Sequence, residues 1–145
     1  MREVRNISEL IRRLMDDHSK IEGNIIKLIG KSMEYYKVDK EKFMRDLTRS
    51  LEGIRFFLDI HHRFEEEEIF PIIDDPIVGE LTEEHKVIIG LIDEIIGGIM
   101  DISPEDAYRK ISELREMIYK HFMKENTRLL GILMDMERIE GSSLG

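Results

Sequence analysis

The chain has 145 residues, 41% of them hydrophobic and 37% charged, with a formal net charge of −9 and no cysteine. That length makes one ordinary domain able to bury its own core, and the acidic balance argues against nucleic acid, whose phosphates need a basic surface. Without cysteine there are no disulfides, thiolate metal sites or cysteine nucleophiles, so a metal would have to be held by imidazole and carboxylate, which suits iron, manganese or zinc.

The charged start, Met1 to Ser8, has no apolar core of the kind a secretory signal carries. No apolar run approaches the ~20 residues that span a bilayer. A soluble cytoplasmic protein with no membrane partner is the expectation. Glutamine is absent while Ile, Glu, Lys and Arg are abundant, a composition seen in thermophiles.

The first apolar series is Ile7, Ile11, Leu14, His18, Ile21, Ile25, Leu28, Ser32 and Tyr35. Its spacing alternates four and three, the period of a helix packed in a bundle. Asn6 with Glu9 forms a capping-box pattern at its start, and Val38-Asp39 marks the break, with Asp39 as the next N-cap. The second helix carries Met44, Leu47, Leu51, Ile54, Leu58, His61 and Glu65, and should end near Phe70-Pro71 because proline cannot extend the ladder. Asp74-Asp75-Pro76 supplies a turn and a cap.

A third helix runs through Leu81, His85, Ile88, Ile92, Ile95 and Ile99, loosened at Gly97-Gly98. Ser103-Pro104-Glu105-Asp106 is a start signal for the fourth, which carries Ala107, Ile111, Leu114, Ile118, His121, Glu125, Leu129 and Ile132. Short connections favour antiparallel neighbours, so the predicted fold is an all-α, up-down-up-down four-helix bundle over residues 1–140. Residues 141–145 form a frayed tail. No second domain or internal repeat is evident.

Four of the five histidines, His18, His61, His85 and His121, thus fall one on each helix, on its apolar stripe. Measured from the connecting turns, they converge on one layer to within about 3 residues, or ~5 Å at 1.5 Å per residue. His61 and His121 are each followed four residues on by a glutamate, Glu65 and Glu125, on the same face. Histidines and carboxylates in a dry core need compensation, and a transition metal supplies it. Any one of these histidines alone would be read as a core residue satisfied by hydrogen bonds; their convergence is what argues for metal.

His62 continues the polar series Arg55 and Asp59, so it is expected on the solvent side or, at most, behind the ligands. Glu66, Glu67 and Glu68 read as a solvated charge run. Glu22, four after His18, is either a third carboxylate ligand or a charge at the stripe's edge paired with a lysine or arginine. Tyr35, Tyr36, Tyr108 and Tyr119 fit packing as well as a place near the site and receive no role.

Asp-His-Ser-Lys-Ile around His18, His61-x-x-x-Glu65 with Ile69-Phe70-Pro71, Glu84-His85-Lys86, and His121-x-x-x-Glu125 together resemble the hemerythrin-like, or HHE cation-binding, family. The resemblance runs from His18 to Glu125. It implies a four-helix bundle holding two iron ions, with His18, His61, His85 and His121 as terminal ligands and Glu65 and Glu125 as bridges; manganese or zinc could substitute. Oxygen-carrying hemerythrins have a second histidine one turn after that of helix three, where this chain has Ile89. Open positions are therefore expected, and oxygen carriage is less secure than iron binding.

The function expected is a non-haem di-iron protein that binds or reacts with O2, NO or peroxide, in stress defence, with an electron-transfer partner. An iron-sensing module without turnover and a plain histidine-rich bundle are the competing readings. Zinc hydrolysis needs fewer ligands than converge here, and a ferritin-like oxidase would present Glu-x-x-His pairs instead. Monomer and homodimer are equally compatible with the sequence.

Overall fold

The computed structural model describes residues 6–34 and 39–144. Tyr35, Tyr36 and Val38 lie outside them. The helices are α1 (Ile7–Ser32), α2 (Lys40–Phe64), α3 (Ile77–Gly98), α4 (Pro104–Lys124) and α5 (Leu130–Leu144). No strand occurs among the described residues. α5 continues α4 through one π-helical turn, so the chain forms four rods: α1 and α3 each pack against both α2 and α4, and α5 packs against α1.

The starts follow the sequence signals. Asn6 accepts a hydrogen bond from the Glu9 backbone N–H at 2.9 Å, Asp39 from Lys42 at 2.9 Å and Ser103 from Asp106 at 3.1 Å. Each satisfies an N–H that has no partner within its helix. Before α3 the Asp75 carboxylate caps the Ile77 N–H at 2.8 Å. Gly98 leads into a 3-10 turn, Ile99–Asp101, consistent with the loosening expected there. The backbone of 141–144 continues α5, past the Gly141 at which the sequence pointed to fraying.

The second rod ends at Phe70-Pro71 as expected, whereas the π turns at the ends of α2 and α4 are not expected from the sequence. Each helix passes into a π turn, Glu65–Ile69 and Glu125–Leu129, in which the glutamate carbonyl accepts from the N–H five residues on, Phe70 or Leu130. A π turn holds one residue more than an α turn and shifts the faces that follow it. After the first, Pro71 lies in a 3-10 turn, Phe70–Ile72, and the rod ends.

The apolar core is in two parts. One contains Ile21, Ile25, Leu28, Leu47, Leu58, Ile88, Ile95, Ile111 and Ile118. The other contains Leu10, Leu14, Phe64, Ile69, Ile77, Leu81, Leu129 and Leu133. Every rod crosses from one to the other at its histidine, so the buried polar side chains form a layer between two apolar plugs. Ser32, whose hydroxyl donates to the Ile29 carbonyl at 2.7 Å, is, among the described residues, the buried polar one remote from this layer.

Candidate metal centre

The layer contains His18, His61, His62, Glu65, His85, His121 and Glu125, all buried, with both glutamates fully so. Their donor atoms gather in overlapping groups: His18, His61 and Glu125; Glu65, His85, His121 and Glu125; and His62, His85 and His121, the atoms of each group within 4.8 Å of one another. The six residues expected from the sequence are thus brought together. Glu22 is half-buried and outside all three groups; it lines a surface depression with Arg115 and Tyr119.

Around the carboxylates, His18 Nε2 lies 2.8 Å from Glu125 Oε1 and His61 Nε2 2.9 Å from Glu65 Oε1. His85 Nε2 is 3.3 Å from Glu65 and His121 Nε2 3.5 Å from Glu125. On the outward side the Nδ1 of four of the five histidines faces an acceptor: Asn126 for His18 at 2.9 Å, Asp17 for His61 at 3.0 Å, Glu66 for His85 at 2.9 Å and Glu84 for His121 at 2.8 Å. A neutral imidazole has one N–H. His18 hydrogen-bonds Glu125 Oε1 through Nε2; with the proton at Nδ1, the Nε2 of His61, His85 and His121 turns a lone pair inward, toward carboxylate oxygens that are also acceptors.

Lone pairs facing lone pairs in a dry layer leave atoms unpaired. The Nε2 atoms of His61, His62, His85 and His121, both oxygens of Glu65 and Oε2 of Glu125 are buried without a hydrogen bond. Unpaired buried polar groups are costly, and native interiors contain few of them. Cations at the centre would accept those of His61, His85, His121, Glu65 and Glu125, and an outward acceptor on the second nitrogen is the arrangement metal-binding histidines use. The donor set fits a metal.

Without an ion a proton compensates part of this. Burial works against charge on His61, but Glu65 and Asp17 prevail and raise its pKa to about 9. Burial likewise opposes charge on Glu65, yet His61 and His85 hold its carboxyl far below the ordinary range. Burial pushes His18 and His121 down to about 4 and His62 to about 2, so these rings are neutral. Glu84 is lowered despite partial burial by hydrogen bonds from Lys124 and His121.

Two expectations need correction. His62 is buried at 4% exposure, which excludes the solvent side of the two placements expected, and its ring stacks on that of His85 with centroids 3.7 Å apart and planes at 5°. An inward stripe built on positions a, d and e takes in two adjacent residues, one on either side of its centre line. Glu66 is also more than a member of a solvated run, since it holds His85. Asp17, Glu66, Glu84 and Asn126 are the site residues that sequence reasoning missed. Each adjoins an inward residue, and the Nδ1 requirement could have pointed to them.

A short internal repeat, not noticed in the sequence, organises the layer. Asp17-His18 matches Glu84-His85, and His61-His62-x-x-Glu65-Glu66 matches His121-Phe122-x-x-Glu125-Asn126. The geometry follows: His18 and His61 centroids are 4.9 Å apart, as are those of His85 and His121. Phe122 stacks on His18 at 4.0 Å as His62 does on His85. The site is two similar halves sharing Glu65 and Glu125.

A search of curated proteins and a search of solved structures returned no match. The family model described as the hemerythrin HHE cation-binding domain matches residues 3–133. With that match over most of its length and these histidine and glutamate clusters within it, the chain belongs to the hemerythrin HHE cation-binding domain family.

Proposed function

We propose that the protein is a non-haem di-iron protein of the hemerythrin type, binding or reacting with a small oxidant such as O2, NO or peroxide. His18 and His61 would hold one ion, His85 and His121 the other, and Glu65 and Glu125 would serve both. The observation that carries this is the position of the two carboxylates, each fully buried between histidines of both halves, Glu65 with both oxygens and Glu125 with Oε2 unpaired. A carboxylate has two oxygens and can span two cations, whereas a neutral imidazole binds one.

The pair of ions would supply redox chemistry and open positions. The chain's own part is to hold the imidazoles in one tautomer through Asp17, Glu66, Glu84 and Asn126, and to keep water out with the apolar plugs. Two carboxylates offset part of the charge that two cations bring.

The bundle reads as antiparallel. Asp17 pairs with His61 and Lys31 with Ser50; Arg55 with Asp93 and Glu66 with His85; Glu80 and Glu84 with Lys124 and His121. In each pairing one helix rises in number as its neighbour falls. No helix among the described residues is long and apolar enough to cross a membrane. We place the protein in the cytoplasm, with a separate protein as electron donor.

Metal analysis after loading with ferrous iron in air, with an absorption spectrum, tests the proposal. Two irons per chain with charge-transfer bands of a bridged ferric pair are expected. A folded chain that retains no iron would refute it.

A further inference from the structure

The two halves of the layer differ at the residue that stacks on a histidine of each. Phe122 stacks on His18, with ring planes at 14°, and its counterpart His62 stacks on His85, with planes at 5°. Phenylalanine is therefore sufficient for packing at this place. His62 adds a ring nitrogen, Nε2, that is buried and has no hydrogen-bond partner. Burying a polar atom unpaired is unfavourable, so packing gives no reason for it.

Direct ligation does not account for it either. Imidazole binds a metal in its ring plane. Two rings that lie parallel at 3.7 Å cannot both contain the same ion in their planes. A His62 nitrogen nevertheless lies within 4.8 Å of donor nitrogens of His85 and His121, close enough to reach a small molecule seated beside an ion that those two hold. The same half has His121 in the wall of a surface depression of about 270 Å³, with Val87, Met117, Lys120 and the paired Glu84 and Lys124.

Building on the di-iron reading, we infer that His62 is a ligand-binding residue: its Nε2 exchanges a hydrogen bond with the exogenous molecule at the His85–His121 position, making that half the one that receives small anions and oxidants. A neutral imidazole can donate or accept at Nε2 according to tautomer; toward an anion it donates.

The test is His62→Phe, which restores the residue found at the twin position, with azide as the probe. Iron content, the azide dissociation constant from absorption titration, and the azide stretch in H2O and D2O are measured on wild type and variant. The variant should fold and keep two irons, bind azide roughly tenfold more weakly, the scale of one lost hydrogen bond, and lose the deuterium sensitivity of the band. Unchanged affinity and band with two irons present would overturn the inference while leaving the di-iron reading intact. Loss of one iron would overturn it in favour of direct ligation. A wild-type chain without iron would remove both readings.

Discussion

Glu125 Oε1 lies 2.8 Å from His18 Nε2 across 107 positions of chain, inside a layer where Glu125 also approaches His61 at 3.7 Å and His121 at 3.5 Å. One carboxylate touches histidines of both halves. Replacing it by an amide keeps the shape but removes the charge and one acceptor oxygen. Glu125→Gln is expected to fold and to hold fewer than two irons per chain, as metal analysis would reveal; full retention would mean that Glu125 is not shared.

Asp17 holds His61 at Nδ1, and Arg13 holds Asp17 at 3.2 Å. Removing such an outward acceptor typically costs 10–100-fold in metal affinity. Asp17→Ala should therefore weaken iron binding by roughly that factor in a chelator competition, and Glu84→Ala should do the same through His121.

Glu22 provides the contrast. It stands on α1 one turn beyond His18, but its carboxylate is outside the clustered donors. Glu22→Gln should retain both irons with unchanged affinity in the same competition assay.

The metal-free protein should be most stable near the ordinary histidine pKa, at about pH 6.5. His61 is raised to about 9, so the stability it contributes is complete below the unfolded value and is lost as pH climbs toward 9. His18 and His121, depressed to about 4, bind protons more readily when unfolded, so stability is lost as pH falls from 6.5 toward 4. Glu65, also depressed, adds to the acid side. Urea midpoints at pH 4.5, 6.5 and 9 would show a maximum at the middle value, and a monotonic trend would contradict it.

The rods and the six clustered residues were legible because helical period, caps and proline are local, and equal distance from a turn converts to equal height. The π turns were not. EEEEI and ENTRL carry no local signal for the i+5 bond that each forms. His62 was placed outward because its stripe through Arg55 and Asp59 is polar, yet at the height of the layer the neighbouring rod offers His85 as a stacking surface. Aligning His61-His62 with His121-Phe122 would have exposed it, since Phe122 is plainly a core residue.

Anomalous diffraction at the iron edge, from crystals of iron-loaded protein, tests the di-iron centre most directly. Two peaks are expected in the buried layer, one beside His18 and His61 and one beside His85 and His121, both touching Glu65 and Glu125. A single peak, or none in that layer, would contradict it.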